Sequence, residues 1–152
     1  AARLNKPGFR VEAVTDPAEA ASQADIISCA TYSTEPILKG EWLKAGAHVD
    51  LVGSYRPDLR ESNDEVMRKA RRLFVDERSS TVEISGDVIE PLNKGLARLD
   101  DVIDLFELAQ GRRPGRRSDD EITVFKSGGG GHEDLATATW YAAKTGIDEL
   151  TD

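Results

Sequence analysis

The apolar residues of this chain change period several times, and each change marks an element. "FRVEAV" (9–14) alternates as a short strand does. "TDPAEAASQ" follows, with Asp16 as a candidate N-cap, Pro17 at the first helical position and alanine-rich helix formers behind it. "ADIISCA" (24–30) is a continuous apolar run of strand length, the pattern of a strand covered on both faces. The unit then repeats. "AHVDLVG" (47–53) reads as a strand, "SNDEVMRKARR" (62–72) as a helix opened by a capping box of Ser62 and Glu65, and "LFVD" (73–76) as the next strand.

Beyond Asp76 the rhythm loosens. "SSTVEISGD" reads as a short helix and turn, and "LDDVIDLFELAQG" (99–111) as one helix stopped by Gly111. "EITVFKS" (121–127) is a strand and "HEDLATATWYAAKTG" (132–146) a helix ended by Gly146. The first residues, "AARLNKPG", look like the last turns of a helix stopped by Pro7 and Gly8. Strands separated by helices imply a mostly parallel sheet with helical crossovers, so the fold class is α/β.

Composition narrows the function. With 152 residues the chain holds one ordinary domain, and 20 basic against 28 acidic residues give a net charge of -8. That balance argues against a nucleic-acid partner, which needs clustered Lys and Arg. The one basic cluster, Arg112, Arg113, Arg116 and Arg117, is broken by Pro114 and Gly115 and reads as a solvated loop. Cys29 is the only cysteine, so the chain carries no internal disulfide and reads as a buried-thiol protein of a reducing compartment. With no membrane-length apolar run and no signal pattern, the expectation is a soluble, cytoplasmic protein with no membrane partner.

Motifs alone carry little. The glycines at 128–131 do not complete G-x-G-x-x-G, no phosphate-binding P-loop occurs, and "KTG" at 144–146 lacks the serine motifs that would give it meaning. Two histidines and one cysteine do not build a typical zinc site, so no metal is expected. His48 reads as a satisfied structural residue and His132 as an exposed helix-start residue rather than a general acid or base. The richest stretch is "LVGSYRPDLRES" (51–62), where Ser54, Tyr55 and Arg56 follow a strand end. In open parallel sheets that is where ligands sit. The plainer alternative is a turn that holds Asp58 and Glu61 in solvent.

Three segments in series, "ADIISCATYSTEPILKGEWLKAGAHVDLVGSYRPDLRES", "VDERSSTVEISGDV" and "SDDEITVFKS" followed by the glycines and "DLATA", resemble the ornithine cyclodeaminase/mu-crystallin family. The resemblance implies an NADH- or NADPH-dependent oxidoreductase, homodimeric in full-length form, with a Rossmann-like domain and a second domain for substrate and dimerisation. It further implies that this chain is the carboxyl-terminal half. The fold expected is a partial, doubly wound, mostly parallel sheet lacking its first strands, over residues 1–127. Residues 128–152 would be the glycine-rich entry and a carboxyl-terminal helix returning towards the substrate domain. Without the first strands, the segment at 9–14 loses its neighbours and the strand at 25–30 has a raw edge, so the isolated chain is expected to be unstable, rearranged or aggregation-prone.

The same resemblance implies cofactor contacts at Ala30, Thr31 and Ser33, at Val52, Gly53 and Ser54, and at Lys126, Ser127 and Gly128, the last group by close backbone approach to the nicotinamide. The helix behind the glycines is expected to start late, near His132. Cyclodeaminases of the family carry an aspartate where this chain has Tyr55, and a phenol is a poor carboxylate substitute near neutral pH. Mu-crystallin-like members also lack the aspartate and keep the flank seen here at Arg56 to Glu61. The expected activity is therefore reduction of small cyclic imino acids such as pyrroline- or piperideine-2-carboxylate, with Tyr55 a candidate hydrogen-bond donor near the product nitrogen. The alternatives are an ammonia-releasing ornithine cyclodeaminase acting on an amino acid, and a non-catalytic, NADPH-binding crystallin-like protein or inert fragment.

Overall fold

A computed structural model describes residues 5–70 and 72–146. Five parallel strands form one sheet in the order β1-β2-β5-β3-β4. They are β1 (Ile26–Cys29), β2 (His48–Leu51), β3 (Arg72–Val75), β4 (Val102–Asp104) and β5 (Thr123–Lys126). The last strand in sequence thus inserts between β2 and β3. Around them lie α1 (Pro17–Gln23), α2 (Asp64–Lys69), α3 (Arg78–Ile84), α4 (Gly86–Asn93), α5 (Leu105–Ala109) and α6 (Gly131–Thr145).

Register explains the burial. Ile27, Val49, Val124, Leu73 and Val102 pair across the sheet, as do Cys29, Leu51, Lys126 and Val75. In a parallel pair, partnered residues share a face, so these two rows form the floor of the core with Val66, Met67 and Val88 from the helices. Each aliphatic side chain buried there stabilises the fold by about 1.5–3 kcal/mol. The opposite face carries Ser28, Asp50, Phe125 and Phe74 in one row. On β1 and β2 that face is a hydrogen-bonded pair, Ser28 Oγ to Asp50 Oδ2 at 2.8 Å, rather than a packed layer. The continuous apolar run at 24–30 is therefore covered on one face only.

Local signals decide several element ends. Asp16 caps α1 through Ala18 N–H at 2.9 Å, with Pro17 leading the helix as its sequence requires. At α2 the cap is Asn63, which accepts from Val66 N–H; Ser62 is drawn instead to Asp87, so the Ser62/Glu65 capping box does not form. The single helix expected over 99–111 is three elements: a 3-10 turn at Leu99–Asp101, β4 and α5. Val102 and Ile103 are β-branched and find an open edge on β3, and tertiary pairing overrides the helical period. Asp104 then opens α5 in a capping box with Glu107. "SSTVEISGD" is richer than one helix and a turn, since α3 and α4 meet at Ser85.

Residues 9–14 form no strand. Phe9 makes an isolated bridge to Lys6, and Val14 is exposed. The helix end read in the first residues lies mostly outside the described residues. The basic loop is exposed as expected, but Arg116 is not free in it: its guanidinium donates to the Gly46 carbonyl at 2.7 Å, the Glu121 carbonyl at 2.6 Å and Thr123 Oγ1 at 3.0 Å, tying the loop before β5 to the start of β2. Cys29 is buried, and burial followed by the charges of Glu61, Asp87 and Asp50 pushes its thiol up to about 12. His48 is half-buried with Nδ1 2.7 Å from Thr123 Oγ1. Among the described residues no helix is long and apolar enough to cross a membrane.

Candidate functional site

Because all five strands run the same way, the loops after β1, β2, β3 and β5 converge at one end of the sheet. Four buried ionisable residues hold them there: Glu61, Asp76, Asp87 and Lys126.

Glu61 joins the first two loops. Its Oε1 accepts from Thr31 N–H at 2.6 Å and Thr31 Oγ1 at 2.8 Å, and its Oε2 accepts from Gly53 N–H at 2.8 Å. The carboxylate can reach both because nothing projects from Gly53: a Cβ there would fall 1.9 Å from the Thr31 carbonyl oxygen. Asp87, at the start of α4, fixes Glu61 in turn by accepting from the N–H groups of Glu61 and Ser62, both at 2.9 Å, and from Ser62 Oγ at 2.7 Å. Glu61 is wholly buried, so the plainer expectation that it lies in solvent is overturned.

Asp76, just past β3, organises the glycine run. One oxygen accepts from Gly128 N–H at 2.6 Å, Gly129 N–H at 2.7 Å and Ser127 Oγ at 3.2 Å. The other accepts from Glu77 N–H at 2.8 Å and from Thr81 Oγ1. Burial alone would raise its pKa, but the donors from Thr81, Glu77, Gly129 and Gly128 together outweigh burial and hold it below 3.8. Gly128 is required for contact with α3, since a Cβ would sit 2.4 Å from Thr81 Oγ1, and Gly129 adopts a φ of +79° that side chains disfavour. The helix behind starts at Gly131, next to the expected position.

Lys126 lies under this end of the sheet. Its Nζ donates to the Leu51 carbonyl at 3.0 Å and to the Ser127 carbonyl, bracing the ends of β2 and β5. Burial pulls its pKa down, while Asp87, Glu61, Asp76 and Asp50 oppose that shift.

On the outer side of this frame the loops present two tyrosines. Arg56 Nη1 donates to Tyr32 Oη at 2.8 Å while its other edge is clamped by Asp58, and the Tyr32 and Tyr55 rings lie 5.9 Å apart. A hydrogen bond with Tyr32 raises the pKa of Tyr55, with further upward contributions from burial and Asp58 against Arg56. Tyr55, half exposed, is thus a protonated phenol throughout the neutral range.

The expected site residues fall into three groups. Ala30, Val52 and Tyr55 are exposed on the loop face; Thr31, Gly53, Ser127 and Gly128 are held there through the two carboxylates. Ser33 turns its hydroxyl to the Glu35 carbonyl. Ser54 and Lys126 have fully buried side chains, Ser54 Oγ lying 2.9 Å from both the Leu59 carbonyl oxygen and Ser85 Oγ, so only their backbone is left for a ligand. Sequence reasoning missed Tyr32, Asp76, Thr81 and Asp87. The one available signal was an aspartate directly after an apolar strand, in "LFVD".

Fold and site together define an open parallel α/β protein of the doubly wound kind, its loops gathered at the carboxyl ends of the strands, where ligands of such sheets sit. The chain belongs to the ornithine cyclodeaminase/mu-crystallin family, whose sequence model matches residues 1–145. It is 43% identical over 131 residues to a Delta(1)-pyrroline-2-carboxylate reductase of Paracoccus denitrificans, covering 86% of this chain and 41% of the relative. It is 45% identical over 120 residues to the ketimine reductase mu-crystallin of Mus musculus, covering 79% of this chain and 36% of that one. The solved Delta(1)-pyrroline-2-carboxylate reductase of Thermococcus litoralis, in complex with NADH and L-proline, superposes with a TM-score of 0.82 at 35% identity, covering 91% of this chain and 44% of that chain. The chain thus spans about two fifths of the length of these relatives.

Proposed function

We propose that this chain is the nicotinamide-side portion of an NAD(P)H-dependent reductase of small cyclic imino acids of the pyrroline- or piperideine-2-carboxylate type, homodimeric in its full-length form. The observation that carries the reading is the Glu61 and Asp76 frame, which brings the loops of Thr31, Gly53 and Ser127–Gly129 to one end of the sheet. The similarity to reductases of this class supports it.

The loops fit the nicotinamide end of such a cofactor. Their donors are backbone and hydroxyl groups, and at Gly53 and Gly128 the packing excludes any Cβ, which keeps the loop surface low. A bound nicotinamide supplies the hydride. This chain supplies position: Ala30, Thr31, Val52, Gly53, Ser127 and Gly128 form the floor, and Tyr55 holds a phenolic proton at the rim, where it donates to the product nitrogen. A protonated imine needs orientation and exclusion of water more than a strong base, so a tyrosine here is compatible with reduction. Residues 128–152 belong with a second domain in this reading. α6 supports that assignment, because Leu135, Trp140 and Tyr141 stand exposed along it.

The test uses the full-length polypeptide with NADH or NADPH and a cyclic imino acid, following loss of reduced-nicotinamide absorbance. Oxidation that requires the imino acid is expected. Ammonia release from ornithine without imine reduction would replace the reading with a cyclodeaminase.

A further inference from the structure

At the opposite, amino-terminal end of β3 and β4 lies a cleft of about 500 Å³ lined, among the described residues, by four arginines, Arg72, Arg98, Arg113 and Arg117, and one carboxylate, Asp101. We propose that it is a binding site for a small phosphorylated metabolite, remote from the cofactor loops.

The charge balance of the cleft carries the argument. Arg72 is neutralised by Glu121, with Nε 3.1 Å from Oε1 and both side chains nearly buried. Arg98 has Asp101 at 3.8 Å, a long and exposed pair. Arg113 spends both Nη groups on the Asp100 carbonyl oxygen, which satisfies hydrogen bonds without cancelling charge. Arg117 donates its backbone N–H to Glu121, and its guanidinium makes no close ion pair among the described residues but shares the field of the Glu121 carboxylate with Arg72. Set against Asp101 and Glu121, the four arginines leave an excess of two positive charges, the charge of one phosphate dianion. In a chain of net charge -8 this is a local feature rather than part of a general basic field.

Shape and side-chain choice point the same way. Met67, Leu73, Leu96 and Val102 line the cleft beneath the arginines, offering an apolar surface to a carbon skeleton. The volume lies within the roughly 300–1,000 Å³ of small-molecule sites. Planar guanidinium forks bind phosphate oxygens two at a time, which an ammonium does not. Arg72, held by Glu121, forms a fixed wall with Arg117 beside it. The adjoining cavity shares these two arginines and adds Lys69 together with the acids Asp120 and Glu121, so the excess positive charge is confined to the first cleft.

The test titrates the full-length polypeptide with inorganic pyrophosphate, glycerol 3-phosphate and succinate at constant ionic strength, by calorimetry. Arg113→Ala/Arg117→Ala, Arg113→Lys/Arg117→Lys and the remote Arg10→Ala are compared with wild type, so that phosphate bound at a dinucleotide site cancels. Saturable binding of both phosphate probes, weakened at least tenfold by the double alanine variant, several-fold by the double lysine variant and not by Arg10→Ala, is expected. Equal affinity in wild type and both double variants would overturn the site. Succinate binding as tightly as pyrophosphate would overturn the phosphate assignment. If the double alanine variant fails to fold, the lysine variant decides, because it keeps the charge and removes only the fork.

Discussion

The carboxylate of Asp76 does at one residue what the glycine run could not do alone. Five donors converge on it, and replacing it with asparagine turns part of an acceptor into a donor facing N–H groups. Asp76→Asn should destabilise the full-length protein by about 2–4 kcal/mol, given about 1.5–3 kcal/mol for each hydrogen bond to a charged group and partial rescue by the amide oxygen. Urea unfolding measures it. The sign with pH follows from the depressed pKa: the stabilisation is complete above 3.8 and is lost as pH falls below that value through the folded pKa. Wild type should lose stability along that acid limb more steeply than Asp76→Asn. Glu61→Ala should cost about 3 kcal/mol or more, since it strands the N–H groups of Thr31 and Gly53, while Glu61→Gln should cost less because one acceptor oxygen remains.

Among the elements, the glycines separate into those the fold requires and those it tolerates. Gly53→Ala should prevent normal folding, because its Cβ would overlap the Thr31 carbonyl oxygen. Gly131→Ala meets nothing within 4 Å at the first turn of α6 and should stabilise by up to about 1 kcal/mol. Thermal unfolding of the two variants distinguishes a loop built around glycine from one that merely contains it. The close approach that Gly128 makes is to Thr81 on α3, and through Asp76 it sets where the backbone of Ser127 lies.

For the whole molecule, the buried charges and the free edge of β1 are the decisive features. Among the described residues Lys126 is the one buried cation beside three buried carboxylates, and Lys126→Met takes the Nζ donor from the Ser127 carbonyl and leaves the Leu51 carbonyl with the Ser127 N–H alone. Breaking such a buried arrangement costs about 3–5 kcal/mol, and urea unfolding of this variant should show a loss of that size. Among the described residues β1 pairs only with β2, and Ile26, its first residue, is 70% exposed beside an apolar cleft containing Val14, Ile37 and Trp42. The 152-residue chain by itself should self-associate through that edge. Ile26→Lys should reduce the association, read by light scattering against concentration, and unchanged association would place the contact elsewhere.

By itself the sequence determined the alternation of strand and helix, the cap at Asp16, the stop at Gly146, the inert thiol at Cys29 and the family. Each of these is written in neighbouring residues or in an ordered series of segments. Tertiary structure alone decided the insertion of β5 between β2 and β3, the conversion of residues 102–104 from helical period to strand, and the loss of a strand at 9–14. Pairing energy comes from neighbours distant in the chain, and local propensity is weaker than an open sheet edge. The same holds for the site. Thr31, Gly53 and Gly128 were legible as loop residues after strands, but Glu61 lies eight residues from Gly53 and thirty from Thr31, and Asp76 lies 52 from Gly128. Only folding shows that these carboxylates turn inward, because an acid in a turn has the same sequence pattern whether it faces water or five N–H and O–H groups.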